Sequence, residues 1–108
     1  MAKQIRFEYE GTRYTLEFNR NVIRNMERRG FVVDDIQTKP MTVLPELFAG
    51  AFIMHHPYLK RDRIDQIYDK MTNRTKLIER LGEMYQEPLL AMLDEPEEHE
   101  GNVSWEEN

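Results

Sequence analysis

Alternation sets the first eighteen residues apart from the rest of the chain. Ile5, Phe7 and Tyr9 alternate with Gln4, Arg6, Glu8 and Glu10, and Tyr14, Leu16 and Phe18 alternate with Arg13, Thr15 and Glu17. A period of two places every second side chain on one face, so two half-buried strands are predicted. Glu10-Gly11-Thr12 joins them with a residue free to take positive φ, which predicts a tight antiparallel hairpin. Two strands alone are marginal in water, so their apolar face needs helices to cover it.

The period then changes to that of a helix. Asn19 is a suitable cap for a helix over Arg20 to about Arg29, with Gly30 just past its end. Val22, Ile23 and Met26 form its inner stripe, and Arg20, Arg24 and Arg28 line the opposite side. Phe31 to Met41 reads as a connecting loop with some apolar anchoring. A second helix is expected after Thr42, with Pro45 in its first turn, running to about His55 and stopping before Pro57. Val43, Leu44, Leu47, Phe48, Ala51 and Met54 sweep one broad face of it, with Phe52 at the edge and Ile53 pointing nearly the other way. A helix apolar on most sides is a buried one, enclosed by its own chain or by a partner. The small Ala49-Gly50 surface permits close approach of a neighbouring helix. Asp62, with Asp65 three residues on, resembles a capping box opening a third helix with Ile64, Ile67, Tyr68 and Met71 inward. A fourth runs from about Arg74 with Leu77, Ile78, Leu81, Met84 and Tyr85 on one face, and Pro88 kinks or restarts it before Leu89, Leu90, Met92 and Leu93. The fold class is therefore α+β: an N-terminal antiparallel hairpin, about four helices, and a tail.

Composition bounds what such a fold can do. With 108 residues, 40% hydrophobic and 32% charged, there is room for one small domain. The absence of cysteine removes disulfides and thiolate metal sites. No apolar run is long enough to span a bilayer and the N-terminus lacks a signal-peptide core, so a soluble, unexported protein is expected. The net charge of −5 is unevenly spread: seven acidic residues and no Lys or Arg follow Leu93, leaving all 15 basic groups and the other 13 acidic ones in residues 1–93. Residues 1–93 are read as the globular domain and 94–108 as a disordered acidic tail, in which Trp105 is the odd member.

Candidate chemistry is sparse. His55 and His56 are adjacent, so on a helix they diverge by about 100° and cannot share an ion as an i, i+4 pair could. His55, within the apolar stripe, reads as a hydrogen-bonded structural histidine, and His99 lies in the tail. Asp34-Asp35 and Asp62/Asp65/Asp69 have plain roles in turns, caps or solvated faces. Neither a phosphate-binding glycine loop nor a nucleophile elbow is present. The reading is non-enzymatic, with no cofactor and no metal. The arginine face of Arg20, Arg24 and Arg28 could track phosphates, but the nearly balanced body and the lack of a stacking platform favour a solvated helix face, and nucleic acid is not the expected partner.

The run Ile5-Arg-Phe-Glu-Tyr-Glu-Gly-Thr-Arg-Tyr-Thr-Leu-Glu-Phe-Asn-Arg-Asn-Val-Ile-Arg-Asn-Met-Glu-Arg-Arg-Gly-Phe31 resembles the start of the tail assembly chaperones of long-tailed bacteriophages: a short strand, a glycine turn, a Tyr-x-Leu strand and a helix ending in Glu-x-x-Gly. Lys39-Pro40-Met41-Thr42, Leu47 to Phe52, and Leu93-Asp-Glu-Pro-Glu-Glu98 through Gly101-Asn102 to Trp105 resemble the subfamily in phages and prophages of Gram-positive bacteria. The resemblance implies a protein without catalytic residues, made in the cytoplasm of the infected or lysogenic host and absent from the mature virion. It implies that the protein coats and solubilises the tape measure protein, recruits tail tube subunits during tail morphogenesis, and self-associates. It implies too that a chain ending at Asn108 is the short product of a gene whose relatives carry a frameshifted extension. Candidate partner-binding residues are Ile53, Met54, Tyr58 and Leu59 at the exit of the second helix, together with the apolar patch after Pro88. The alternative is a small phage regulator binding nucleic acid through Arg20, Arg24 and Arg28.

Overall fold

In a computed structural model, which describes residues 3–93 and 103–106, the alternating segments form β1 (Ile5–Tyr9) and β2 (Thr12–Leu16). They pair antiparallel with Ile5 opposite Leu16, Phe7 opposite Tyr14 and Tyr9 opposite Thr12. Glu10 and Gly11 both take positive φ, 49° and 79°. Two such residues in succession twist a two-residue turn in the sense the strands require. Tyr14, Leu16 and Phe18 face inward and are buried, while Ile5, Phe7 and Tyr9 pack against the same core half-covered.

Helix α1 (Arg20–Arg28) starts where its cap predicts: the Asn19 Oδ1 accepts the Val22 N–H at 2.8 Å. It ends before Gly30, which takes φ 93°. The segment expected to be a connecting loop with some apolar anchoring contains a 3₁₀ turn, Val33–Ile36, and packs Phe31 and Val33 against the core. Helix α2 spans Pro40–Gly50, earlier at both ends than its sequence pattern suggests. Proline at the first helical position sacrifices no intrahelical hydrogen bond, so Pro40 opens the helix. Pro45 thereby falls inside the helix, removing the one bond it would have made to the Met41 carbonyl. At the far end the pattern tightens to i, i−3 bonds, from Phe52 N to Ala49 O and from Ile53 N to Gly50 O. The helix stops there because the Ala51 carbonyl turns aside to accept the Glu17 N–H at 3.0 Å.

Helix α3 (Arg61–Lys70) corrects the capping-box expectation. Lys60 occupies the cap position without a side-chain bond, Asp62 lies in the first turn, and Asp65 pairs with Arg61 at 2.9 Å. Asn73, at φ 50°, reverses the chain into α4 (Arg74–Ala91), and Arg74 reaches back to the Asp69 carbonyl at 2.8 Å. Helix α4 runs on through Pro88 without the restart that the proline suggested. Leu77, Leu81, Met84 and Tyr85 have already anchored the helix in the core before the proline is reached.

The molecule is α+β, a hairpin covered by four helices. Its centre is α2, which touches α1, the 3₁₀ turn, α3 and α4. Phe48 and Phe52 are fully buried and link two aromatic groups: Phe7, Tyr14 and His56 on the hairpin side, and Tyr68 on the α3 side. Gly50 lies under Met26 of α1, so close that a Cβ there would stand 2.5 Å from the Met26 Sδ. Among the described residues no helix is long and apolar enough to cross a membrane. Most of the segment read as an acidic tail, 94–102 and 107–108, lies outside the described residues. Within 103–106 there is no regular structure, and Val103 and Trp105 are exposed.

Candidate functional site

A concavity lies beside the early end of α2. Because the chain leaves the helix axis after Gly50, a groove of about 630 Å³ opens between the end of α1, the face of α2 and the segment leading to α3. Ala49 and Gly50 lie along it with Met26, and Phe31, Val32, Ile53 and Leu59 supply apolar walls. Arg29, Asp35, Lys39, Glu46 and Arg61 give it a polar border. Arg61 ties α2 to α3 by bonds of 2.9 Å to Glu46 and to Asp65. Partial burial works against its charge, but those two carboxylates outweigh it and hold its pKa above the ordinary guanidinium value.

The four candidate partner-binding residues divide. Ile53 and Leu59 are half-buried, pack on the core and line the groove. Met54 and Tyr58 do not line it; Met54 is 38% exposed and Tyr58 96% exposed. A helix continued to His55 would have put Met54 on the inward stripe, and unwinding after Gly50 turns it outward. Met26 is on the inner stripe expected of the first helix, and Phe31 and Val32 lie in the segment read as a loop with some apolar anchoring, but none of the three stands out by sequence as a contact residue, although three consecutive apolar residues, Phe31-Val32-Val33, mark a segment that packs rather than floats. The second apolar surface follows Pro88, where Leu90, Met92 and Leu93 are exposed and Leu89 is 38% exposed.

A polar latch closes the other side of the α2 exit. His55 Nε2 lies 2.8 Å from Glu17 Oε1, which also accepts from Gln4 Nε2 at 2.7 Å. Strand alternation puts Glu17 among the wet positions, yet it is only 7% exposed, because it lies past the end of β2 under the folded-back segment. The His55 hydrogen bond, with that of Gln4, holds the Glu17 carboxyl below the usual carboxylate range against the opposing effect of burial. His56 uses Nε2 to accept the Thr15 N–H at 3.0 Å. Burial, with the nearby His55, pushes its pKa down, so the neutral ring that can accept this bond is the favoured form. His55 is hydrogen-bonded but exposed and not on an apolar stripe; it is the His56 ring that packs against Tyr14 and Phe52. Among the described residues no side-chain hydroxyl hydrogen-bonds to either ring; their partners are the Glu17 carboxylate and the Thr15 N–H. Nor, among the described residues, do three His, Asp or Glu side chains come close enough to hold a metal ion.

Arg20, Arg24 and Arg28 are all exposed on α1, and none forms an ion pair among the described residues. Three surface features stand out among the described residues: an apolar-walled groove, an apolar helix end and a basic helix face.

The family model for a Domain of unknown function (DUF5055) matches residues 1–108. No curated protein and no solved structure matches the chain.

Proposed function

The chain belongs to the DUF5055 family, and we propose that it is a non-catalytic chaperone of phage tail assembly, which covers apolar stripes of the tape measure protein until tail tube subunits replace it. The observation that carries this reading is the groove: small residues at Ala49 and Gly50, apolar walls from Phe31, Val32, Ile53 and Leu59, and charged residues at its border. An amphipathic helix seats its apolar stripe in such a groove and leaves its polar face to the rim and to water. The exposed apolar end of α4 adds a second contact of the same kind. Many weak contacts repeated along a rod give avidity while leaving each subunit displaceable. The resemblance in the hairpin and first helix supplies the identity of the rod, and with it the host cytoplasm as the place of action.

Co-expression tests it. The full chain, produced together with a candidate tape measure protein, should carry that protein into the soluble fraction and co-purify with it. Ile53→Asp and Leu59→Asp, checked for retained fold by circular dichroism, should abolish both effects. A rod equally insoluble with and without the chain would end the proposal. The exposed arginines support one other reading, a small phage regulator. Its signature would be a salt-dependent mobility shift of duplex DNA that disappears when Arg20, Arg24 and Arg28 are neutralised.

A further inference from the structure

The two edges of the hairpin are not equivalent. In the observed register Arg6 faces Thr15 and Glu8 faces Arg13. The Thr15 N–H points away from β1, to His56, so Arg6–Thr15 is a non-hydrogen-bonded pair, and by alternation so is Glu8–Arg13. The outward backbone groups of β2 are taken up by the α2 exit, through Thr15 to His56 and Glu17 to Ala51. Those of β1, at Arg6 and Glu8, have no backbone partner among the described residues, and the sheet stops at β1. We propose that a second copy of this chain pairs with that edge, β1 to β1, antiparallel about a two-fold axis at Phe7, making a four-stranded sheet across the dimer.

Charge selects both the partner and the register. Centred on Phe7, Arg6 of each copy stands opposite Glu8 of the other, twice over, in the positions whose N–H and C=O face outward. Opposite charges across strands are favourable and like charges are not. Centring on Arg6 would set arginine against arginine, and centring on Glu8 would set glutamate against glutamate. Charged residues on a short edge strand commonly serve to prevent pairing. Here they prevent it in the neighbouring registers and permit it in one.

The inward face agrees. Ile5, Phe7 and Tyr9 are only half-buried in the single chain. Beside Ile5 a cleft of about 470 Å³ lies between β1 and the first half of α4, lined by Lys76, Leu77, Arg80 and Glu83. In the Phe7-centred register Tyr9 of the second copy falls opposite Ile5, so its ring stands over this cleft. The two Phe7 rings meet on the axis and extend the aromatic core. The pairing does not depend on the tape measure reading, since it follows from edge chemistry alone.

Analytical ultracentrifugation of the full chain tests it, with a charge-swap pair as the discriminating step. The native chain should sediment as a dimer of twice 13.0 kDa at high concentration. Arg6→Glu and Glu8→Arg change exposed residues, and each should weaken self-association at least tenfold by setting like charges opposite one another. Mixed together, the two variants should recover dimerisation, because the two acidic side chains of one now face the two basic side chains of the other. Glu8→Pro, which deletes an outward N–H and leaves the ladder to β2 untouched, should give a monomer. A native chain that is monomeric throughout, a dimer indifferent to the swaps, or variants that fail to recover on mixing would overturn the proposal.

Discussion

The Nε2 atom of His56 accepts the backbone N–H of Thr15 at 3.0 Å, a side chain from the exit of α2 standing where a third strand's carbonyl would be. His56→Ala is expected to cost about 2–3 kcal/mol, from an unpaired N–H and the lost contacts with Tyr14 and Phe52. His56→Gln keeps an acceptor and should cost less. Urea melts of the three proteins decide it, and equal costs for both variants would show that the hydrogen bond is immaterial.

Stability should fall with acid in two stages. The His56 pKa is depressed in the folded chain, so below the ordinary value of 6.5 the unfolded chain binds a proton that the folded chain resists, and stability declines as pH falls through that range. Glu17 is also depressed, from 4.5, so its contribution is complete above that value and disappears as pH drops through the folded value. His56→Gln should remove the upper stage alone and Glu17→Gln the lower stage alone. Melts of the three proteins between pH 8 and 3 read this directly, and a stage that survives its own substitution belongs to another group.

Gly50 and Met26 should be energetically coupled. An alanine Cβ at 50 meets the Met26 Sδ, and crowding of this kind costs about 1–3 kcal/mol, offset by about 1 kcal/mol of helix propensity. Met26 also lines the groove and can swing into it, so Gly50→Ala should cost only about 1 kcal/mol in the native background. With Met26→Ala it should become stabilising by about 0.5–1 kcal/mol. A double-mutant cycle on thermal melts measures this, and additivity would refute the contact.

At the hairpin, Gly11 takes φ 79° with open space around its missing Cβ. The cost of Gly11→Ala is therefore conformational rather than steric crowding by neighbours, about 1–2 kcal/mol. Gly11→Asn should cost about half as much, since asparagine tolerates the left-handed region. Chemical denaturation provides the test, and similar stabilities for all three proteins would contradict the observed turn.

Legibility of the site follows how local its causes are. Ile53 and Leu59 were readable as apolar residues near a helix exit, and the small Ala49-Gly50 face as a place of close approach, which Met26 fills. Met54 lies outward instead of on the inward face its helical spacing predicts, because its direction depends on where α2 ends, and the Ala51 carbonyl at that end is taken by the N–H of Glu17, more than thirty residues away in sequence. Glu17 carries the alternation of a wet strand position yet is buried by the same event.

The sequence by itself determined the hairpin and its turn, the capped first helix, the inward faces of α3 and α4, and the α+β order, because periodicity, Asn19 and Gly11 act within a few residues of themselves. Only the tertiary structure decided where α2 stops, which edge of the sheet has no backbone partner among the described residues, and that a groove lies beside Gly50. Each of those depends on backbone groups of distant segments finding one another, the Ala51 carbonyl meeting the Glu17 N–H and the His56 ring meeting Thr15. A buried polar backbone group must be paired, and its partner is chosen by the packing of the whole chain rather than by its neighbours in sequence.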